Sequence, residues 1–346
     1  MIYGIYYLLS IFFLLASSLY RVLNKPFEII FLLLIIILSG FRYYVGTDYK
    51  TYDQLADMIA NGQSTYMELG FETIITLIQN AGFLNQGVFL VSTLITIVFF
   101  WIYFRNNSSN VLYSLILFFL LPAFYFASFN GVRQFIAISI FLYATKSILT
   151  KDFAKYCFLI VLASFFHKTV LLLLPCYFFL AKEPSLFRLL ITAAIYFVVI
   201  NVLGQIGPTL GGPEKYFSDV FDYDFNLKSL VPVIIFISLF CLNKKYRDVN
   251  TDYVISFNLL FVASLFTLTP LFSELPSGLV LRMSSYFTPA ILIVLVNFSQ
   301  LFQQKIMKIF YNTFLFILAS LYFSITLISN GEKYALMPYS FNLTLF

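Results

Sequence analysis

Charge is scarce in this chain: Asp, Glu, Lys and Arg together make up 11% of its 346 residues, where soluble globular proteins carry about 25%. A water-soluble surface cannot be built from so few charges, which excludes an ordinary soluble globular protein. Histidine is almost missing, with His167 alone, and no His or Cys set has metal-ligand spacing, so neither a zinc site nor any other metal site is expected. Three cysteines, Cys157, Cys176 and Cys241, lie inside apolar runs. They form neither a metal-ligand spacing nor the even set of a disulfide framework, and read as packing residues. A P-loop, a dinucleotide fingerprint, HExxH and a nucleophile elbow are all lacking. No internal repeat or low-complexity stretch divides the chain, so 1–346 reads as a single integral membrane domain. A formal charge of +5 is modest for this length, and nucleic acid is not expected as a partner.

What is abundant is apolar. Hydrophobic residues make up 61%, with 44 Phe and 25 Tyr, and the mean hydropathy is +0.90. Runs of roughly 17 to 25 apolar residues are long enough to cross a hydrocarbon layer about 30 Å thick, and a helix satisfies its own backbone groups there. The fold class expected is therefore all-α, a polytopic transmembrane helix bundle of about twelve spans: 3–20, 26–40, 87–104, 111–129, 132–149, 153–166, 168–181, 186–204, 229–243, 252–270, 282–299 and 308–328. The first run has no basic residue before it and no small-x-small cleavage site after it, so it reads as a retained span.

Placement of charge orients this layout. With the N-terminus outside, 13 of the 21 basic residues fall on inner connections, while 11 of the 16 acids fall on outer ones, as the positive-inside rule requires of a bacterial inner-membrane protein. The split depends on reading residues 155–180 as a short helical hairpin, because a single crossing would divide the basic residues about evenly. His167 then lies at the hairpin's outer tip. Two long polar connections, 42–86 and 205–228, land outside as lids over a site. Within the first, residues 68–83 show apolar positions at helical spacing and predict an amphipathic surface helix.

Charged residues at the edges of apolar spans are costly and tend to face cavities. Here Arg42, Arg133, His167 and Arg282 cluster on the same predicted side. In FNGVRQFIA, the residues Asn130, Arg133 and Gln134 stand at i, i+3 and i+4 and predict one polar helix face, placed where free backbone amides welcome an anion. Arg282 and Tyr286 repeat the i, i+4 spacing, and Arg42 adds a third guanidinium suited to phosphate oxygens. The plainer alternative is that each arginine anchors at the interface or pairs with Asp48, Glu68 or Glu274. His167 suits proton transfer better than metal binding, with a packed histidine as its alternative. Asp48 in VGTDYKTY is the other candidate base, or else a helix cap. Asp222 and Asp224 in FDYDF resemble an acidic divalent-cation pair only superficially and read as a solvated loop.

Several separated stretches, in order, resemble the EpsG/Wzy family of bacterial polysaccharide polymerases. FRYYVGTDYKTY carries Arg42, Gly46, Thr47, Asp48, Tyr49 and Tyr52, and ELGFE carries Glu68, Gly70 and Phe71. FNGVRQFIA carries Asn130, Arg133 and Gln134, ASFFHKTVLLLLP carries His167 and Pro175, LRMSSYF carries Arg282 and Tyr286, and MPYSF carries Pro338 and Tyr339. His167 is followed by Lys168 where the family pattern has a small or polar residue. The resemblance implies a fold like the GT-C glycan polymerases in the inner membrane. It implies transfer of a growing undecaprenyl-pyrophosphate-linked glycan onto the terminal sugar of an incoming lipid-linked repeat unit, at a site facing the periplasm. On that reading Arg133, Arg282 and Arg42 hold pyrophosphate, His167 or Asp48 takes the proton, and Asn130, Gln134, Tyr286, Tyr49, Glu68 and Tyr339 contact substrate. No cofactor is implied. Partners would be undecaprenyl-pyrophosphate-linked glycans, membrane lipids and a chain-length regulator protein. A transporter or flippase of lipid-linked oligosaccharides, and an O-antigen ligase or acyltransferase, remain open as alternatives.

Overall fold

The computed structural model describes residues 2–63, 65–206, 230–242, 253–272 and 277–345. Among them the chain is helical: α1 (Ile2–Leu19), α2 (Asn24–Gly40), α3 (Tyr49–Ala60), α4 (Leu69–Asn80), α5 (Gln86–Asn107), α6 (Val111–Leu120), α7 (Ala127–Asn130), α8 (Val132–Leu149), α9 (Phe153–Ser164), α10 (Cys176–Leu180), α11 (Leu186–Ile206), α12 (Val231–Cys241), α13 (Tyr253–Leu268), α14 (Ser277–Ser284), α15 (Ala290–Phe298) and α16 (Lys305–Asn330). Among the described residues, five stretches are long and apolar enough to cross a membrane: Ile2–Leu19, Gln86–Asn107, Val132–Leu149, Val254–Leu271 and Lys305–Asn330. Shorter apolar helices, Val111–Leu120 and Phe153–Ser164 among them, accompany these.

The chain sorts into two compact units. The first comprises Met1–Lys146, Ala154–Leu172 and Phe302–Phe346, and the second Ser147–Phe153 and Leu173–Leu301. At the centre of the first unit is α6, in which every residue from Leu112 to Leu120 is buried. Helix α2 packs against α5 through small and polar residues, the usual way helices approach closely in a bilayer. A Cβ on Gly40 would stand 2.7 Å from Leu90 Cδ1, and Ser39 shares a 2.9 Å hydrogen bond with Thr93. Aromatic rings fill the remainder, Phe119 meeting Tyr125, Phe126 and Phe323 at centroid separations of 5.4 to 5.7 Å.

In the second unit, Leu189, Leu239, Phe257, Leu260, Ile291 and Val294 form a buried core from α11, α12, α13 and α15. Asn258 of α13 donates to the carbonyls of Leu180 and Lys182 at 3.0 and 2.9 Å, satisfying the end of α10.

Several predicted spans are interrupted, and proline explains two of the breaks. The run 111–129 is not one helix, because α6 stops at Leu120. Leu121, next to Pro122, takes an extended conformation (φ −99°, ψ 100°), since the proline ring disfavours the helical region in the residue before it. The run 282–299 divides into α14 and α15, with Pro289 at the N-cap of the second. The hairpin's second arm, 168–181, is a 3₁₀ segment, Lys168–Leu173, followed by the short α10 with Pro175 as its N-cap. The 42–86 connection is not an open loop either. It folds into the expected amphipathic α4 and an additional helix, α3, which buries Tyr49, Tyr52, Leu55 and Ala56 on one side. The second expected lid lies, from residue 207 onward, outside the described residues, as do Asp222, Asp224 and Glu274.

Candidate functional site

Arg42 follows the end of α2 directly. It is 1% exposed, too deep to remain without hydrogen bonds. Its Nε donates to the Val45 carbonyl (3.2 Å), NH1 to the Ser39 carbonyl (2.7 Å) and Oγ (3.2 Å), and NH2 to the Phe129 carbonyl (3.2 Å). The guanidinium plane rests over the rings of Phe129 and Phe89, at 4.6 and 5.0 Å from their centroids. These contacts make Arg42 the clasp that ties the end of α2 to α7 and the 43–48 turn. Its guanidinium is committed to the protein's own backbone, which argues against the headgroup contact expected of it.

Asn130 completes this turn. Its Oδ1 accepts from Thr47 N at 2.8 Å, and Gly46, at φ +96°, occupies backbone space that a side chain would lose: a Cβ there would stand 2.8 Å from Asn130 Oδ1 and 3.1 Å from Phe129 Cβ. Gly131 separates α7 from α8, so Asn130, Arg133 and Gln134 do not share one continuous helix as their spacing predicts. Asn130 faces the turn, Gln134 is buried, and Arg133, in the first turn of α8, reaches elsewhere.

Arg133 reaches Glu68. Its NH1 donates to Glu68 Oε2, and the two side chains are only 15% and 10% exposed. The other carboxylate oxygen, Oε1, lies 3.6 Å from His167 Nδ1. Glu68 is the residue just before α4, Arg133 opens α8, and His167 follows the end of α9, so three distant segments meet here. Close approach of α4 to the His167 segment depends on Gly70. Gly70 N donates to the Phe165 carbonyl at 2.8 Å, and a Cβ on Gly70 would fall 2.7 Å from that oxygen and 2.8 Å from Phe165 Cβ. Tyr52 of α3, its phenol near the Arg133 charge, packs its ring 5.5 Å from Phe71 of α4 and closes the cluster from the α3 side.

Burial alone would push the Glu68 carboxyl up. The facing His167 and the Arg133 charge outweigh it and bring the group down to about 2, so Glu68 is ionised at any physiological pH. Among the described residues, three buried atoms of this cluster make no hydrogen bond: Arg133 Nε, His167 Nδ1 and His167 Nε2. Buried donors and acceptors are satisfied in the great majority of cases, and an unsatisfied one calls for an explanation such as a catalytic or ligand-binding role.

The other expected residues fall elsewhere. Asp48 occupies the N-cap position of α3 without capping it through its side chain, and accepts from Thr47 Oγ1 at 3.3 Å. Tyr49 is buried, stacked on Phe89 at 4.2 Å, with its hydroxyl donating to Gln86 Oε1 at 3.1 Å. Tyr339 donates to the Leu38 carbonyl, and both phenols support the turn rather than open onto a cleft. Arg282 and Tyr286 belong to the second unit. Arg282 is exposed in the last turn of α14 instead of opening a span, and Tyr286 is fully buried after that helix. For Arg133 the plainer alternative, pairing with Glu68, is what the structure shows; sequence spacing does not reveal that His167 joins the pair, or the part played by Gly70. The signal available was Glu68 standing just before an amphipathic helix in a chain with few acids. No group of three or more His, Cys, Asp or Glu side chains gathers among the described residues in a way that would hold a metal ion.

Long apolar helices with a buried Arg–Glu–His cluster at their ends define a multi-pass membrane protein with a polar site built at the margin of its bundle. The model of the EpsG family matches residues 25–341, and the chain belongs to that family. Membership supports a polysaccharide polymerase-type function and a place in polysaccharide biosynthesis. No curated protein and no solved structure matches the chain.

Proposed function

We propose that the protein is a glycan polymerase of the bacterial inner membrane, working on its outer face. It transfers a growing polysaccharide from undecaprenyl pyrophosphate to the terminal sugar of an incoming lipid-linked repeat unit. The observation that supports this most is Glu68 standing between Arg133 and His167, with unsatisfied nitrogens on both basic partners.

In this reading His167 Nε2 is the general base. Glu68 faces Nδ1 and selects the tautomer that carries its proton there, which leaves Nε2 as the acceptor. The 3.6 Å separation shortens when substrate closes the site, as catalytic hydrogen bonds commonly do. The acceptor hydroxyl attacks the anomeric carbon of the donor glycan, its proton passes to His167 Nε2, and the bond from that carbon to pyrophosphate breaks. The pyrophosphate leaves with the bonding electrons. Negative charge grows on it as the bond breaks, and a preorganised cation stabilises that state more than the ground state. Arg133 is the cation: Glu68 holds one edge of the guanidinium, and Nε points to a phosphate oxygen. Asp48 is kept for contact with the second substrate, whereas Arg42, Tyr49 and Tyr339 serve the scaffold.

Proteoliposomes given lipid-linked repeat units on the outer side test this reading. Wild-type protein lengthens the glycan, and Arg133→Lys and His167→Gln lower the rate by 10²-fold or more at equal protein level, a general base alone contributing about 10²–10⁴-fold. Lysine keeps the charge beside Glu68 but loses the planar fork, so the variant folds. Movement of lipid-linked units without lengthening would identify a flippase and overturn the proposal. Full activity in both variants would overturn the roles given to Arg133 and His167.

A further inference from the structure

Two tyrosines outside the Glu68 cluster have no part in the chemistry above. Tyr43 and Tyr44 are 40% and 50% exposed, although the turn around them is firmly held. Their rings meet edge to face with centroids 4.6 Å apart, and Tyr44 lies 5.1 Å from the ring of buried Tyr49. Both peptide groups of Tyr43 are tied to Ser340: its N–H donates to the Ser340 carbonyl at 2.9 Å, and its carbonyl accepts from Ser340 Oγ at 2.7 Å. Tyr44 has φ +52°, in the left-handed region where glycine or asparagine is at ease and a bulky side chain is an outlier. Glycine would suit the turn better, so the tyrosine ring needs a reason other than folding.

The surroundings indicate what these rings meet. Asp53 stands one turn after Tyr49 on α3, the helix whose Tyr49 ring lies 5.1 Å from that of Tyr44, and the Asp53 charge first, with Tyr43 and the Asp57 charge, raises the Tyr44 phenol. Asn85 Nδ2 donates to Asp53 Oδ1 and Asp57 Oδ1 at 2.9 and 2.8 Å, fixing the two carboxylates side by side. Tyrosines at a membrane interface commonly rest among headgroups, but two carboxylates on this side of the turn disfavour anionic lipid. Electron-rich faces flanked by hydrogen-bond acceptors match a ring with polarised C–H bonds on one face and hydroxyl donors at its edge. An uncharged pyranose has that form.

Resting on the polymerase reading, we propose that Tyr43 and Tyr44 form the subsite for an uncharged pyranose of the acceptor glycan, with Asp53 and Asp57 receiving its hydroxyls. The same charges reject uronic acids at this position. The subsite thus sets specificity for the incoming unit and takes no part in proton transfer.

Tyr44→Gly is the informative substitution, because glycine accepts a φ of +52° and removes only the ring. Purified full-length protein in nanodiscs would be examined by saturation-transfer NMR with methyl glycosides of neutral hexoses, of N-acetylhexosamines and of glucuronic acid. Transfer to at least one uncharged glycoside is expected, several-fold above that to the glucuronide, and it should vanish in Tyr44→Gly while the melting temperature holds. Equal transfer to the glucuronide, or undiminished transfer in Tyr44→Gly, overturns the proposal, as does quenching of these tyrosines by brominated lipid in place of sugar. In the polymerisation assay, Tyr44→Gly should raise KM for the acceptor by about tenfold with kcat within twofold, and Tyr44→Phe should restore KM. Unchanged KM sinks the subsite alone. Movement of lipid-linked units without lengthening sinks the polymerase reading, and normal polymerisation by both Arg133→Lys and His167→Gln sinks the chemistry assigned to the Glu68 cluster; both leave the sugar-binding result standing.

Discussion

Gly70 N and the Phe165 carbonyl are joined by a 2.8 Å hydrogen bond, and no side chain fits between them: a Cβ on Gly70 would stand 2.7 Å from that oxygen. The contact fixes how near the start of α4, with Glu68, comes to the segment carrying His167. Gly70→Ala must push the two segments apart, since the obstacle is backbone and cannot rotate away. A misplacement of about 1 Å at reacting groups costs on the order of 10²-fold in rate. Polymerisation by Gly70→Ala should therefore fall by 10-fold to 10²-fold in kcat, with a modest loss in melting temperature. A wild-type rate would show that the spacing of Glu68 and His167 does not matter.

Glu68 serves two neighbours, and its substitutions separate the two services. Glu68→Gln keeps the shape and a hydrogen-bond acceptor for Arg133 but removes the charge; Glu68→Ala removes both and leaves a buried guanidinium without its partner. Breaking a buried ion pair from one side costs about 3–5 kcal/mol, so Glu68→Ala should be strongly destabilised in detergent melting and poorly abundant in membranes. Glu68→Gln should fold, yet lose most activity because His167 is no longer held by a carboxylate. Equal melting temperatures for the two variants would contradict the burial of the pair.

Much of this arrangement is visible in the sequence, and what is hidden has definite physical causes. Apolar runs longer than a bilayer is thick identify the helices, and α4 shows its amphipathic period. Continuous hydropathy conceals the breaks at Pro122 and Pro289, because an apolar proline scores like a span residue while ending the helix. Helix α3 is hidden by the polar residues around it, although Tyr49, Tyr52, Leu55 and Ala56 recur at i, i+3, i+6 and i+7. Arg133 and His167 are conspicuous as rare polar residues in an apolar chain. Glu68 is one of three acids that the sequence offers as partners for the arginines, and that it joins both Arg133 and His167 depends on α4 meeting α8 and α9 in space. In sequence Arg42 adds a third guanidinium after Arg133 and Arg282, and its three backbone acceptors set it apart from Arg133.

That difference can be measured. Arg42→Lys keeps a positive charge, but an ammonium cannot reach the carbonyls of Ser39, Val45 and Phe129 together from one stem, and loses the flat face between Phe89 and Phe129. Each buried carbonyl left without a donor costs about 1–3 kcal/mol. Arg42→Lys should then lower the melting temperature clearly, with about 3 kcal/mol lost in total, while protein that does fold polymerises with nearly the wild-type KM. A large KM effect without destabilisation would instead make Arg42 a substrate ligand.

The Glu68 carboxyl also sets a pH signature. Its ordinary value is 4.5, and in the folded protein Arg133 and His167 hold it at about 2 against the opposing effect of burial. The folded state thus binds this proton later than the unfolded chain as pH falls. Stability from the depressed carboxyl is fully present above about 4.5 and is lost as pH falls toward 2, because the unfolded state takes up the proton first. Melting of the purified protein between pH 7 and pH 3 should show little pH dependence from Glu68 down to about pH 5, then a decline. Glu68→Gln, having no proton to take up, should start from a lower melting temperature and lose less of it between pH 5 and pH 3. If the two proteins lose stability in parallel across that interval, the carboxylate is not held by Arg133 and His167, and the cluster at the head of α4 does not carry the charge arrangement that general-base action by His167 requires.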